Sequence, residues 1–393
     1  MLNVINKTKK QNVITIGGAT QDIIIQYADI QSMHLHTHAN TQTFTLLGAG
    51  DKIEIKALHY STGGGATNSA VSFKRLDFEA TACFTIGDDP TGEYILHELL
   101  QENITTLHTI AQHEQTGTSV IIPSCEGDRT IFAYRGANGH MQKEHIPYTH
   151  LENADVVYIT SLSGDSAKLL PLITQHAKKH EVLVAHNPGQ SQLMAGANIL
   201  RNSLPAIDIL ILNAHEAKQL MMSLVDTSDK VKKTSPHQPA PDKAFSEVGS
   251  PQLPSLISSL LTIEDICFNI HHFFTTVLNY GPRIVVVTNG AEGVYVADKQ
   301  TIYFHPSIPA PIACTTLGAG DAFGSCFVAC IAHDDLIEQA LVNGIINASS
   351  IIGNIDAKKG LLALDELKKR ADLVGLKGVQ RFALTLPIKK SLP

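Results

Sequence analysis

The sequence predicts an α/β protein with a central, mostly parallel sheet covered by helices on both faces. First, from Asp155 onward short apolar runs alternate with helix-patterned segments: Val156 to Ile159, a helix through His176, Val182 to Ala185, a helix through Leu200, Ile207 to Leu212, and a helix from His215. Second, these runs are apolar at consecutive positions, as strands buried on both faces are. Third, several strand ends lead into turns rich in glycine, and the carboxyl ends of parallel strands are where such sheets bind ligands.

A chain of 393 residues with 44% hydrophobic content can bury a large core, as one domain with an appendage or as two. Thirty basic against 37 acidic residues give a net charge of −7 with no Lys/Arg stripe, so nucleic acid is not an expected partner. Cys83, Cys125, Cys267, Cys314, Cys326 and Cys330 lack Cys-x-x-Cys spacing and mostly sit in apolar runs, which reads as buried thiols of a reducing compartment. Cys326 and Cys330 lie one helical turn apart, where packing is favoured over a shared metal. His34, His36 and His38 alternate, so they share one strand face, and a solvated edge is favoured over a metal site there. No apolar run reaches membrane-spanning length, and Met1 to Gln11 is too short and polar for a signal peptide. A soluble cytoplasmic protein without membrane partners is the expectation.

In order, Asn12 to Ile16 is a buried strand ending at Gly17-Gly18, and Asp22 precedes a second run, Ile23 to Ile25. As far as Tyr60 only strand-like pieces follow, among them Phe44 to Leu47 and Lys52 to Ile55, whose alternation suits a small sheet with one wet face. Gly63-Gly64-Gly65-Ala66-Thr67-Asn68 opens a helix, and its glycines admit close approach of a bound molecule or simply form a capping loop. Thr81 to Ile86 is a strand closed by Gly87-Asp88-Asp89-Pro90-Thr91-Gly92, with a helix through Leu100. Thr118 to Ile122 and Thr130 to Tyr134 read as a hairpin.

Asn213 and Glu216 follow a strand end at i, i+3 and point the same way, as a helix cap or a functional pair. Asp226 to Ser255 carries five prolines and four lysines among many Ser/Thr, a composition that cannot bury enough apolar area to offset its chain entropy, so it reads as a linker or mobile insertion. Leu261 to Tyr280 reads as one long apolar helix, Arg283 to Thr288 as a strand, and Thr288 to Gly293 as a hairpin turn. Leu336 to Ile352 is a further helix, and beyond Leu367 one short helix precedes a tail.

The stretch Thr315-Thr316-Leu317-Gly318-Ala319-Gly320-Asp321-Ala322-Phe323 joins a glycine turn, a carboxylate and a helix start. Unpaired N–H groups and the helix dipole attract phosphate at such a terminus. A carboxylate there repels phosphate unless it takes a proton from the group attacking it; the plain alternative is an acidic residue favoured by the dipole.

Together these stretches resemble the PfkB carbohydrate kinases, the ribokinase-like family that also includes adenosine kinases. Gly318 to Phe323 is similar to the family's C-terminal signature, Gly63 to Asn68 with Gly87 to Gly92 to the N-terminal one, Asn213-Ala214-His215-Glu216 to its Asn-x-x-Glu element, and Thr288-Asn289-Gly290 to its nucleotide-side turn. The resemblance runs from about Asn12 to Leu367, broken only by the Pro-rich insertion.

It implies a single ribokinase-like domain, a three-layer α/β/α fold with a small β-sheet lid from the pieces 19–60 and 112–138. It implies phosphoryl transfer from ATP with Mg2+ to a hydroxyl of a small sugar; a nucleoside kinase is the alternative, and a non-catalytic sugar-binding protein of the same fold a third reading. Asp321 would be the base, with the anion turn Gly318, Ala319 and Gly320 holding developing charge; Asp22, Gly64 and Asn68 would bind substrate hydroxyls; Thr288 and Gly290 would line the nucleotide; Asn213 and Glu216 would order Mg2+ through water. A homodimer through the lid is a further expectation. Where the family usually has Asp-Thr-x-Gly-Ala-Gly-Asp, Thr315 replaces the leading acid, which puts a monovalent cation in doubt.

Overall fold

A computed structural model describes residues 10–27, 31–36, 41–123, 129–194, 197–224, 253–263, 266–310 and 315–384. β1 (Asn12–Ile16) starts the central sheet; β2 (Thr20–Tyr27), β3 (Ser32–His36), β4 (Thr41–Thr45) and β5 (Ile55–Gly63) leave it, and α1 (Gly65–Arg75) returns the chain to β6 (Glu79–Gly87). Then come α2 (Pro90–Gln101), β7 (Thr105–Ala111), β8 (Gly117–Pro123), β9 (Arg129–Tyr134), α3 (Tyr148–Glu152), β10 (Val156–Ile159), α4 (Leu170–Lys179) and β11 (Leu183–His186). They are followed by α5 (Gln190–Met194), α6 (Ala197–Ser203), β12 (Ile209–Asn213), α7 (Ala214–Leu224), α8 (Ser255–Ser258), β13 (Leu261–Ile263), β14 (Ile266–Phe268) and α9 (Ile270–Tyr280). β15 (Ile284–Thr288), β16 (Val294–Ala297), β17 (Thr301–His305), α10 (Ala319–Ala332), α11 (Ile337–Ile352), α12 (Leu364–Val374) and β18 (Gln380–Ala383) complete the described chain.

The central sheet has the order β18-β17-β16-β15-β12-β11-β10-β1-β6-β7. From β15 to β7 every pairing is parallel, and the three pairings at the other end are antiparallel. Consecutive strand residues feed opposite apolar layers. Ile14, Val157, Val184, Leu210 and Val285 pack with α4, α7 and α9, while Val13, Val156, Ala185, Ile209 and Val286 pack with α1, α2, α10 and α11. Both faces are therefore covered, and each fully buried Val, Leu, Ile or Phe contributes about 1.5–3 kcal/mol of transfer free energy. No helix among the described residues is long and apolar enough to cross a membrane.

A second sheet has the order β5-β2-β8-β9, and β3 pairs with β4 in a small separate hairpin. His34 and His36 both lie exposed on β3, as a solvated edge requires, and His38 falls outside the described residues. Of the cysteines, Cys83, Cys326 and Cys330 are buried free thiols and Cys267 is exposed; Cys125 and Cys314 fall outside the described residues.

The structure departs from the sequence reading in several places. Leu261 to Tyr280 is not one helix: the antiparallel hairpin β13–β14 precedes α9, whose start is set by Asn269, its side chain accepting from the His272 N–H at 2.8 Å. An apolar run alone does not separate a helix from short strands. Leu46 and Leu47 lie beyond β4, and Lys52, Ile53 and Glu54 precede β5 without joining a strand. Ser255 belongs to α8 rather than to the insertion, its N–H donating to Glu292 Oε1 at 2.8 Å, while Asp226 to Gln252 fall outside the described residues.

Candidate active site

β1 lies between β6 and β10, and the chain proceeds outward from it first through β6 and β7 and later through β10, β11, β12 and β15. This reversal of strand order leaves a crevice beyond the carboxyl ends of β1 and β10, the ordinary binding position of such sheets. The turn after β1 meets the start of α1 there, with the Ala66 N–H donating to the Gly18 carbonyl at 3.1 Å. Gly64, the residue before α1, has φ +94°, and a Cβ on it would lie 2.3 Å from that carbonyl oxygen. Only glycine serves at this position.

α10 begins at the same crevice. Gly318 precedes it in the left-handed conformation, φ 76° and ψ −3°, and a Cβ there would come within 2.5 Å of the Ala357 Cβ. Gly318→Ala therefore meets both backbone strain and a clash, and should lower stability by about 1–3 kcal/mol, read as a fall in melting temperature; an unchanged melting temperature would contradict the turn geometry. The Ala319 N–H donates back to the Thr316 carbonyl at a long 3.3 Å. The N–H groups of Gly320 and Asp321 donate to no acceptor among the described residues. The free donors at this terminus are thus Gly320 and Asp321, while the Ala319 N–H is already engaged.

Asp321 stands in the first turn of α10, partly accessible. Asn68 of α1 donates from Nδ2 to its Oδ2 at 2.8 Å. Burial raises the Asp321 carboxyl above its ordinary value, while Asn68 and the charge of Lys358 act to lower it. The other amide atom, Asn68 Oδ1, is buried without a partner. A buried acceptor left open in this way costs about 1–3 kcal/mol until a donor arrives. Behind the carboxylate, Ser325 Oγ donates to the Asp321 carbonyl at 2.6 Å, and Asn347 Nδ2 donates to the Ala322 carbonyl at 2.9 Å, fixing the first turn of α10 against α11.

Asp22 lies buried on β2, opposite Ser61 of β5, and accepts from Thr20 Oγ1 at 3.1 Å. Burial raises its carboxyl, against the lowering influence of Thr20, Ser119 and Lys358. Lys358, on the loop between α11 and α12, donates from Nζ to Thr62 Oγ1 of β5. Burial lowers its ammonium to about 8, and the nearby Asp22 charge is the largest influence opposing that fall. The loop is set by Asp356, whose Oδ1 accepts from the Lys358 and Lys359 N–H groups at 2.9 and 2.8 Å. A second bridge from the small sheet runs from Arg129 of β9 to the Thr316 hydroxyl.

At the ends of β12 and β15, Asn213 and Thr288 are register neighbours. Asn213 Oδ1 accepts from the Glu216 N–H at 2.9 Å, and Glu216 Oε2 accepts from the Asn213 N–H at 2.8 Å. This reciprocal pair caps α7. Burial raises the Glu216 carboxyl, against the lowering influence of the Asn213 backbone N–H and of the Asn213 side chain. Gly290 lies in the turn after β15 with φ +55° and open space around it.

Asp22, Gly64, Asn68, Gly318, Ala319, Gly320 and Asp321 thus converge on one crevice. Asn213, Glu216, Thr288 and Gly290 gather at strand ends farther along the same edge of the sheet, and no hydrogen bond joins them to Asp321 among the described residues. Lys358, Thr62 and Arg129 escaped the sequence reading. A lysine in Asp356-Ala357-Lys358-Lys359-Gly360 looks like a surface charge, and only the fold brings its ammonium to two carboxylates.

Known proteins carry the same pattern. The family described as pfkB family carbohydrate kinase matches residues 31–240 and 270–358. The chain belongs to this family. Among curated PfkB relatives, it is 24% identical over 309 residues to an ATP-dependent ribose-1-phosphate kinase of Halopiger xanaduensis, covering 78% of this chain and 86% of that protein. It is 25% identical over 326 residues to a ribokinase of Staphylococcus aureus, covering 81% of this chain and 91% of that one. The structure of Arabidopsis thaliana ribokinase complexed with ribose and ATP superposes with a TM-score of 0.65 at 19% identity, over 92% of this chain and 98% of that chain. The ribokinase-like three-layer fold of this PfkB member is thereby shown.

Proposed function

We propose that this PfkB kinase transfers the terminal phosphoryl group of ATP to a hydroxyl of a small sugar, with Asp321 as general base. The observation that carries the reading is the Asn68 side chain: its Nδ2 holds the Asp321 carboxylate while its buried Oδ1 lacks a donor. A sugar hydroxyl supplies that donor, and a neighbouring hydroxyl then lies within reach of the base. Asp22 offers a second acceptor for sugar hydroxyls, with Thr62 and Lys358 holding the β5 side of the pocket.

The Gly320 and Asp321 N–H groups meet the charge on the transferred phosphoryl group. Asn213 and Glu216 supply oxygen atoms only, which fits a hard divalent cation held through water. Bound there, Mg2+ would neutralise phosphate charge. Thr288 and Gly290 flank the nucleotide, where an open glycine turn lets it approach the backbone. The sheet β5-β2-β8-β9 is the lid, tied to the main body by the Thr62–Lys358 and Arg129–Thr316 contacts, and its closure excludes water.

The test is ATP turnover and thermal shift against pentoses, hexoses, their phosphates and nucleosides. Turnover with a sugar or sugar phosphate supports the reading; turnover with adenosine or inosine alone replaces it by the nucleoside kinase, and binding without turnover by the sugar-binding protein.

Thr315 bears on cation dependence. Its hydroxyl accepts the Leu317 N–H at 3.2 Å and its own N–H donates to the Ile352 carbonyl at 3.2 Å, so neutral bonds hold the segment leading to the anion turn. A neutral hydroxyl in place of a carboxylate removes roughly 4 kcal/mol of attraction for a monovalent cation at 4 Å and an effective dielectric near 20, before desolvation is deducted. The expected result is less than about tenfold activation when potassium replaces tetramethylammonium at fixed ionic strength; stronger activation would mean that other groups build a cation site.

The small sheets expose Met33, Leu35, Phe44 and Leu58, with Tyr60 and Phe132 each 56% exposed. Met33 and Phe44 are cross-strand neighbours on the β3–β4 hairpin. An apolar surface of this kind suits a second copy of the lid, and light scattering should give the mass of a dimer that Phe44→Glu converts to monomer.

A further inference from the structure

We propose that Glu152, His176 and His180 form a surface site for a borderline divalent cation, Zn2+ in the first place, that clamps α3 to α4. His176 in the last turn of α4 and His180 at its C-cap stand at i, i+4, and their imidazole rings lie together with centroids 4.8 Å apart. Glu152 ends α3 and faces them: its Oε1 is 3.1 Å from His176 Nε2 and 3.8 Å from His180 Nε2. One ligand atom from each of the three residues lies within 4.8 Å of the other two.

Tetrahedral Zn2+ with bonds near 2.0–2.1 Å holds its ligand atoms about 3.3 Å apart, so small side-chain rotations suffice to close the trio on one ion. The Tyr148 ring packs edge-on against His176, with centroids 4.7 Å apart, and limits its rotation. Two imidazoles and one carboxylate favour Zn2+, Ni2+ or Cu2+ over Mg2+, which prefers oxygen ligands. Three protein ligands leave a position for water, as the partial exposure of Glu152 and His180 permits.

The site is separate from the proposed kinase chemistry. α4 runs back from the carboxyl end of β10 towards the start of β11, so its last turn sits at the opposite edge of the sheet from Asp321. The consequence is mechanical. α3 is a helix of five residues whose one buried side chain is Leu151, and an ion bonded to Glu152 and to α4 would hold it at both levels. Cation binding is therefore expected to stabilise the fold and to leave the Mg2+-supported turnover unchanged.

The test uses the full chain after EDTA treatment and dialysis, with ZnCl2 as the probe. Calorimetric titration should show one saturable equivalent with a Kd below about 10 µM, and 100 µM ZnCl2 should raise the melting temperature by about 2–6 °C. His180→Ala and Glu152→Gln alter exposed side chains and should melt near the parent without zinc, yet lose both the saturable equivalent and the shift. Restoring a ligand with His180→Cys should recover binding. Zinc binding that persists unchanged in His180→Ala and in His176→Ala, or the absence of saturable binding below 100 µM in the parent, overturns the proposal.

Discussion

Asp321→Asn is expected to lower kcat by about 10²–10⁴-fold, roughly 3–5 kcal/mol of barrier, with the fold at least as stable as before. The amide keeps the shape of the carboxylate and can still accept from Asn68 Nδ2, which donates to Asp321 Oδ2 at 2.8 Å, but it cannot take a proton from the attacking hydroxyl. The stability half follows from linkage. Burial raises the Asp321 carboxyl in the folded chain, so the folded state favours the protonated form. That contribution to stability is fully present below the unfolded carboxylate value and is lost as pH rises through the folded one. At neutral pH the parent has lost it, whereas the asparagine variant has no charge to desolvate. Its melting temperature should equal or exceed the parent's at pH 7, and the gap should shrink towards pH 4. A variant that turns over within a few-fold of the parent would remove Asp321 as the base; one that melts well below it would show that the carboxylate also organises the turn.

What the sequence made legible tracks how local each feature is. The parallel strands β10, β11, β12 and β15 could be read because burial on both faces demands consecutive apolar residues, and the chain supplies them. β7 and β18 escaped because they form the two edges of the central sheet, where β7 is half-exposed with polar residues such as Thr105 and His108, and β18 is mostly exposed. Gly318 and Asp321 are neighbours in sequence, so their joint role in a helix start was visible, as was the i, i+3 relation of Asn213 and Glu216. The long-range links were not. Asn68 and Asp321 are far apart in the chain and meet through the packing of α1 on α10. The Thr62–Lys358 bond likewise joins distant segments, and no pattern around Lys358 distinguishes it from its exposed neighbour Lys359.

That neighbour relation matters for the chemistry. The crevice holds two carboxylates, Asp22 and Asp321, each raised by burial, with Lys358 as the cation that favours the charged form of both. A phosphoryl acceptor brings hydroxyls, and its donor brings negative charge. Under the proposed chemistry, a lysine from the loop after α11 would let Asp321 stay ionised in a partly desolvated site and leave the helix terminus, which cannot titrate, to face the phosphate.

Lys358→Met is therefore the second large effect expected: a fall in kcat/KM of about 30–150-fold, near 2–3 kcal/mol, with a changed pH profile. Removing one partner of a buried ion pair costs about 3–5 kcal/mol because the other charge is left uncompensated; Lys358 acts on Asp22 without a salt bridge among the described residues and is partly accessible, both of which reduce that figure. The sign of the pH change is fixed by the charges. Burial lowers the Lys358 ammonium to about 8, so the parent should lose activity as pH rises through that region and the cation beside Asp22 is discharged. The methionine variant has no such group and should lack this basic limb. Its acid limb should move up, because Asp321 loses a charge that lowers its value. Asp22→Asn combined with Lys358→Met separates the pair from general damage: if the lysine's main partner is Asp22, the double variant should be more stable than the sum of the single losses predicts. Additive losses, or a basic limb that survives in Lys358→Met, would place the function of this lysine elsewhere.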